Sequence, residues 1–165
     1  MKRLLFLLLT VVVLLSVSSC SLFNVVEAPD KVFDCGDFSI TLTSGFTTYE
    51  MEGYDFAFDS MKIAVFGFKE DFSLFEEGTD LAGYAKLIYE ANIDQNPSEV
   101  KIDEGLTTIQ YESYDSDEKV SYIYYTVLYE GKEAFWTIQF FCDKADFDEY
   151  KPYFIKWAKS VEFKS

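Results

Sequence analysis

The chain has 165 residues, and its 29 acidic residues outnumber its 14 lysines and arginines, which gives a formal net charge of −15. Such a surface repels phosphate, and the sequence has no basic cluster to displace counterions, so nucleic-acid binding is excluded. The chain has no histidine, which removes histidine-dependent nucleophile pairs and the imidazole ligands of most catalytic zinc sites. Aromatic residues make up 19% of the chain, which indicates a folded domain.

The N-terminal segment has the three parts of an export signal. Lys2 and Arg3 form a basic start, an apolar run covers residues 4–15, and serines follow it. This run is shorter than the ~20 apolar residues that a membrane-spanning helix needs. A basic start, a short apolar core and small residues before the cut are typical of a secretory signal peptide.

The segment Val17-Ser18-Ser19-Cys20 resembles the lipobox of bacterial lipoproteins, in which a branched apolar residue and two small residues precede a cysteine. The resemblance implies that Cys20 receives a diacylglyceryl group and that residues 1–19 are removed as the signal peptide. Two acyl chains hold a protein stably on a bilayer, whereas one binds only marginally. We therefore expect a lipoprotein anchored through Cys20 at the extracytoplasmic face of a membrane. The alternatives are a signal peptide cleaved elsewhere and an uncleaved helix with an incidental cysteine.

Residues 20–34 show no sustained hydrophobic period and are interpreted as a lipidated N-terminus and tether, followed by a single domain over residues 35–165. A domain of this length buries enough surface for one core. Its first half predicts strands over residues 38–42, 46–51, 54–59 and 62–68. A loop over residues 70–78 then precedes a helix that Thr79 caps and that extends to about Ala91.

The second half predicts four consecutive strands and a terminal helix. The strands cover residues 100–103, 106–114, 119–129 and 132–142, and their short connections require antiparallel neighbours. Apolar residues then recur at helical spacing from Phe147 to Val161, so we expect a helix that packs on the sheet. Because Pro152 lies within this pattern, we expect a kink, or a short turn before it and the main helix after it.

The strand over residues 119–129 carries large residues on both parities, as in Tyr124 and Leu128 against Tyr125 and Val127. One helix cannot cover both faces, so we expect an α+β fold, an antiparallel β-sheet with helices packed on both faces (an α/β/α sandwich). This order of elements, with an aromatic C-terminal segment in which Tyr-Lys-Pro leads into a helix, resembles the PsbP/Mog1-like domain. That family is mostly a binding or assembly fold, so the resemblance implies no catalytic residues.

The domain contains two cysteines besides the predicted anchor. Cys35 precedes the first predicted strand and Cys142 ends a late one, and no turn pairs them. We expect two unbridged thiols. Outside the cytosol a disulfide between them is the alternative.

Two acidic groups are candidates for a cation site. Asp115, Asp117 and Glu118 lie in a predicted turn and offer oxygen ligands of the kind that calcium takes. They lack the glycine and distant glutamate of an EF-hand loop, so a hydrated hairpin tip is the favoured interpretation. The second group is interpreted as a charged loop with acids at a helix start. Its members are Asp71, Glu76, Glu77 and Asp80.

The sequence predicts no cofactor and no catalytic residue. Its tyrosines could line a ligand groove, although packing within the sheet explains them more simply. We expect a non-catalytic binding or assembly domain that contacts an unknown protein partner or small ligand, and not an enzyme. The alternative is a carboxylate-based extracellular hydrolase, which would hold two carboxylates of divergent pKa in one deep cleft.

Overall fold

A computed structural model describes residues 25–164. The predicted signal peptide, Cys20 and the start of the predicted tether lie outside the described residues. Among the helices of residues 25–164, none is long and apolar enough to cross a membrane.

The described residues form ten strands and two α-helices. The strands are β1 (Asp30–Asp34), β2 (Phe38–Thr43), β3 (Thr47–Thr48), β4 (Phe56–Ser60), β5 (Ile63–Asp71), β6 (Lys101–Asp103), β7 (Leu106–Asp115), β8 (Val120–Glu130), β9 (Ala134–Asp143) and β10 (Glu162–Phe163). The helices are α1 (Leu81–Ala91) and α2 (Phe147–Lys159).

The strands form two sheets in which neighbouring strands are antiparallel. The larger sheet has the order β3-β4-β5-β9-β8-β7-β6, and the smaller has the order β1-β2-β10. The structure therefore confirms a mixed fold of two helices and antiparallel sheets. The predicted run of four strands is β6 to β9. Its first turn contains Glu104 and Gly105 with φ of 49° and 89°, the left-handed pair that a two-residue hairpin favours.

Two hydrophobic clusters connect these elements. The larger one joins α2 and the small sheet to β4, β5, β8 and β9, with Phe154 and Trp157 fully buried. Trp157 packs edge-on against Phe46 at 5.3 Å between ring centroids. The smaller one joins α1 to β7, β8 and β9, where the Tyr84 ring stacks on Phe135 at 4.5 Å.

The domain starts earlier than predicted. Residues 30–34, assigned to the tether, form β1 and pair with β2, and Val26 is already buried in the larger cluster. The predicted boundary at residue 35 is therefore wrong. Its physical reason is that β1 buries only Phe33, so the strand has no alternation of apolar and polar residues to indicate it.

The structure also changes three details of individual elements. Asp80, not Thr79, caps α1, since its Oδ1 accepts a hydrogen bond from the Gly83 N–H at 2.8 Å, whereas the Thr79 hydroxyl donates to the Glu76 carbonyl oxygen. The strand predicted over residues 46–51 is reduced to β3. The helix α2 continues through Pro152 as one helix, because its buried face stabilises it against the one missing N–H donor.

Candidate functional site

The acidic candidates at Asp115, Asp117 and Glu118 form the turn between β7 and β8. Asp115 Oδ1 accepts hydrogen bonds from the backbone N–H groups of Asp117 and Glu118, at 2.8 and 3.0 Å. These bonds hold the pKa of Asp115 below its usual range. Glu118 Oε2 accepts a hydrogen bond from the Tyr122 hydroxyl at 2.7 Å. The carboxylates thus shape a hairpin tip, and residues 25–164 contain no cluster of three or more metal-ligating side chains.

The second acidic group is spread along one segment. Asp71 ends β5, Glu76 and Glu77 are exposed in the following loop, and Asp80 caps α1. This placement agrees with the interpretation as a charged loop and a helix start.

The two cysteines of the domain are free thiols in the structure. Cys35 follows β1, and Cys142 is fully buried in β9. Burial raises the pKa of each thiol to about 12. Since the thiolate is the nucleophile, the raised pKa of each thiol disfavours a nucleophilic role at neutral pH.

Three carboxyl groups on the surface have a lowered pKa. Lys164 lowers the pKa of Asp34, and Lys151 lowers that of Asp103, in each case chiefly through a hydrogen bond to the ammonium group. The pKa of Asp115 is lowered by the hydrogen bonds from the backbone N–H groups of Glu118 and Asp117. A carboxyl group that works as an acid at neutral pH needs the opposite shift.

A cavity of about 290 Å³ lies between α1 and the seven-stranded sheet. We call it the α1 pocket. It is lined by Tyr54, Phe68, Ile88, Asn92, Gln95, Tyr111, Tyr124, Thr126, Thr137 and Gln139. None of these side chains is charged, although 26% of the chain is. The pocket is therefore a neutral site in an acidic protein.

The register of the strands brings the floor of the α1 pocket together. Tyr111 of β7 pairs with Tyr124 of β8, and Thr126 of β8 pairs with Gln139 of β9. Thr137 of β9 pairs with Phe68 of β5. Since paired residues of antiparallel strands share a face, these side chains form adjacent rows on the face that α1 contacts.

Two buried threonines give this floor its polar character. Thr126 is 0% exposed and Thr137 is 2% exposed. The Gln139 side-chain amide donates to Thr126 Oγ1 at 3.2 Å. The Tyr84 hydroxyl donates to Glu70 Oε2 at 2.8 Å and shares a hydrogen bond of 2.8 Å with Thr137 Oγ1. A hydrogen-bonded network therefore fixes the positions of both threonines.

Tyr111 is the exception in this network. The residue is 5% exposed, and its hydroxyl is buried without a hydrogen-bond partner within residues 25–164. Burial raises its pKa to about 12, so the hydroxyl keeps its proton at neutral pH. An unpaired buried polar group costs about 1–3 kcal/mol, so native proteins rarely leave one without a reason. A hydroxyl in the pocket wall is satisfied when a bound molecule supplies the partner.

Next to the α1 pocket lies a band of aromatic rings, which we call the aromatic strip. Its members are Tyr54, Phe66, Tyr122, Tyr124 and Phe141. The Phe141 ring lies 4.9 Å from Tyr124 and stacks on Tyr122 at 4.8 Å with an interplanar angle of 25°. Tyr54 meets Phe66 edge-on at 4.9 Å. All members except Phe66 are half-buried, so the strip offers ring surface to a ligand.

A larger depression of about 840 Å³ lies between β1 and β4. Carboxylates line it, including Asp34, Glu50, Glu52 and Asp55. It is wide and open to solvent, and it has no buried polar group without a partner among its lining residues. The α1 pocket is therefore the better candidate.

The α1 pocket was only partly accessible to sequence reasoning. The interpretation of tyrosines as a ligand groove applies to Tyr54, Tyr111 and Tyr124, which line the pocket. The polar residues Thr126, Thr137 and Gln139 were not singled out. The sequence did contain one indication of them. Each is a polar residue in a strand of mostly aromatic and branched residues, and polar residues are unusual in a strand that is covered on both faces.

Comparison with known proteins identifies the fold. No family model and no curated protein matches the chain. The solution structure of cyanobacterial PsbP (CyanoP) from Synechocystis is similar to it, with 10% sequence identity and a TM-score of 0.51 over 90% of this chain and 99% of that one. The fold is PsbP-like.

A crystal structure from Bacteroides thetaiotaomicron is also similar, with 16% identity and a TM-score of 0.52. The alignment covers 84% of this chain and 49% of that one, so this chain spans about half of its length. The predicted resemblance to PsbP is thus confirmed for the fold. At these identities a PsbP-like fold defines the architecture and leaves the function to be argued from the site.

Proposed function

We propose that this chain is a lipid-anchored extracytoplasmic protein whose domain binds a ligand in the α1 pocket without transforming it. The observation that carries the proposal is Tyr111, a residue that lines an uncharged polar cavity and whose buried hydroxyl has no hydrogen-bond partner within residues 25–164. A concave pocket with a few convergent polar groups is the usual form of a small-molecule site.

We further propose that the two helices lie on opposite faces of the large sheet. This arrangement determines the position of the pocket. Successive residues of a strand point to opposite faces. In β8, Val127 belongs to the cluster of α2, whereas Leu128 belongs to the cluster of α1. In β9, Trp136 and Phe135 divide in the same way. These memberships support the α/β/α arrangement, in which the α1 pocket and the larger cluster lie on opposite faces of the sheet.

The lipid anchor rests on the sequence. The lipobox resemblance assigns the attachment to Cys20, and a tether connects it to the domain. Val26 is already buried in the larger cluster, which leaves residues 21–25 between the lipid and the first buried residue. A chain of this length spans at most roughly 18 Å when extended. The domain would therefore stand within a short distance of the membrane surface.

The proposal of binding without chemistry rests on the state of the candidate groups. Cys35 and Cys142 stay protonated at neutral pH, and Asp34, Asp103 and Asp115 stay ionised. None of these five groups is poised to exchange a proton near neutral pH. The α1 pocket itself presents only hydroxyl, amide and apolar groups.

Native mass spectrometry of the full lipoprotein, purified from its own membrane in detergent, tests this function. We expect a bound small molecule of constant mass that dissociates on unfolding. Asn92→Trp should abolish this species, because Asn92 lines the α1 pocket and an indole would fill it. Ala91→Trp is the matched control, since Ala91 is exposed and lies outside the lining.

Two results would contradict the proposal. One is a wild-type protein without a bound molecule, or with a bound molecule that Asn92→Trp retains as well as Ala91→Trp does. The other is turnover in a broad hydrolase screen that disappears when one specific carboxylate is changed to its amide. That second result would favour the carboxylate-based hydrolase.

A further inference from the structure

We propose that the ligand of the α1 pocket is a neutral sugar ring and that the aromatic strip binds the next unit of a glycan. The inference rests on the proposed function and names the class of ligand. Three properties of the site support it: its charge, its hydrogen-bonding groups and its rings.

The charge of the site excludes most ionic ligands. None of the ten lining residues of the α1 pocket carries a charge that would neutralise an ammonium, carboxylate or phosphate group. Burying an unpaired charge is costly, so an amino acid or a phosphorylated metabolite fits poorly. The net charge of −15 further repels anions. A neutral ligand remains.

The hydrogen-bonding groups match a ligand rich in hydroxyls. The polar residues that line the pocket and are not fully buried include Tyr54, Asn92, Gln95 and Gln139, and Tyr111 lies beside them. Each of these groups can both donate and accept. A sugar hydroxyl can also both donate and accept a hydrogen bond. It can therefore pair with the Tyr111 hydroxyl as donor or as acceptor.

The volume fits one ring. The cavity of about 290 Å³ lies at the lower end of the range of small-molecule pockets, roughly 300–1,000 Å³. A single sugar ring with its hydroxyls is of that size. A disaccharide would extend beyond the pocket and reach the next available surface.

That surface is the aromatic strip. Tyr124 and Tyr54 belong to both the pocket and the strip, so the two are continuous. Tyr122 and Phe141 continue the strip along the same face, with their rings stacked at 4.8 Å. The C–H faces of a sugar are apolar, and they bury well against half-exposed aromatic rings. The strip therefore offers a platform for the second sugar unit.

The binding of defined sugars to the full lipidated protein tests this inference. The detergent must lack a sugar headgroup, since such a headgroup would compete. Titration calorimetry and saturation-transfer NMR are done with glucose, galactose and N-acetylglucosamine, and with cellobiose and chitobiose. Glucose 6-phosphate and adenosine are the contrasting probes. We expect at least one neutral sugar to bind and glucose 6-phosphate to bind at least tenfold more weakly.

Substitutions then locate the site. Tyr111→Phe removes one hydroxyl and should weaken sugar binding about tenfold, the worth of one good hydrogen bond. Tyr114→Phe makes the same change on the same strand at a residue that is 63% exposed, and should leave binding unchanged. Tyr122→Ala should remove the advantage of the disaccharide over the monosaccharide, whereas Tyr114→Ala should keep it. Circular dichroism checks that each variant folds. If Tyr111→Phe does not fold, Gln139→Leu is used in its place, because Gln139 also lines the pocket.

The outcomes separate the class of ligand from the proposed function. No sugar binding, together with adenosine binding that Tyr111→Phe weakens, would overturn the sugar assignment and retain the α1 pocket as a ligand site. Sugar binding that neither Tyr111→Phe nor Gln139→Leu alters would overturn the assignment to this pocket. No binding of any probe, and no bound molecule in native mass spectrometry, would overturn both.

Discussion

At the scale of single residues, two buried polar atoms have no hydrogen-bond partner in the described part of the chain, Tyr111 Oη and Trp157 Nε1. Their surroundings differ. Trp157 packs among the rings of Phe46, Phe140 and Phe154, so the energy of aromatic packing offsets its unpaired N–H. Tyr111 lies in the wall of a polar cavity. Trp157 therefore lies in a packed core, whereas Tyr111 lines the proposed site.

This difference predicts that Tyr111→Phe stabilises the ligand-free protein. The substitution removes a buried hydroxyl without a partner and keeps the ring, so the free energy of unfolding should rise by about 1 kcal/mol. Urea unfolding measures the change, with Tyr114→Phe as the control that should leave stability unaltered. A loss of stability in Tyr111→Phe would mean that the hydroxyl has a protein partner.

At the scale of elements, α1 depends on local interactions more than α2 does. Only Tyr84 and Ala85 of α1 are buried, whereas α2 buries five residues in the larger cluster. The start of α1 is fixed by one side-chain hydrogen bond, from the Gly83 N–H to Asp80 Oδ1. Because α1 forms one wall of the pocket, its stability controls the shape of the site.

We therefore predict that Asp80→Ala loosens α1 selectively. Loss of a helix cap costs about 1 kcal/mol. Amide hydrogen exchange should become faster in α1 and remain unchanged in α2. Glu77→Ala makes the same change of charge in the preceding loop and should have little effect. Equal acceleration in both helices would show that α1 does not open by itself.

The connection between the β6–β7 hairpin and α2 predicts a pH dependence. Asp103 accepts hydrogen bonds from Lys151 Nζ at 2.8 Å and from the Tyr125 hydroxyl at 3.2 Å, and its pKa is lowered, chiefly by the bond to Lys151. A carboxyl group with a lower pKa in the folded state stabilises the protein above its unfolded pKa. That stability is lost as the pH falls through the folded pKa.

Urea unfolding as a function of pH measures this effect. The free energy of unfolding should fall below about pH 4, the usual pKa of an aspartate. Asp103→Asn should make the fall shallower by less than about 1 kcal/mol, since the pair is partly exposed. Asp117→Asn at the hairpin tip should leave the fall in the free energy of unfolding unchanged. An unchanged acid profile in Asp103→Asn would show that the ion pair contributes nothing to stability.

At the scale of the whole molecule, periodicity predicted what depends on neighbours in the chain. The alternation in β2, the mixed parity of β5, β8 and β9 and the helical spacing of Tyr84 with Ala85 and Ile88 identified most elements. Short turns identified the antiparallel order. β1 was missed because its only buried residue is Phe33.

The α1 pocket could not be located in this way. Tyr111, Thr126 and Gln139 come from three strands, and they meet only because the register places them in adjacent rows. A register shifted by one residue would turn each side chain to the other face. Sequence patterns do not fix the register between strands as firmly as they fix the strands themselves. The pocket could therefore be located only from the strand register that the structure shows.

The anchor is a property of the whole molecule that the sequence predicts. Cys20→Ala should abolish incorporation of labelled fatty acid and leave the precursor uncut, because the cysteine sulfur carries the lipid. Cys35→Ala is the matched control and should be labelled and cleaved as the wild type is. Fatty-acid labelling that persists in Cys20→Ala would contradict the lipobox assignment.

A crystal structure of the protein purified from its own membrane tests the central claim most directly. The account predicts density for a bound molecule larger than water in the α1 pocket, with an oxygen or nitrogen atom within about 3.2 Å of Tyr111 Oη, the reach of a hydrogen bond. A pocket that holds water alone, or one closed by side chains with Tyr111 Oη bonded to a protein atom, would contradict it.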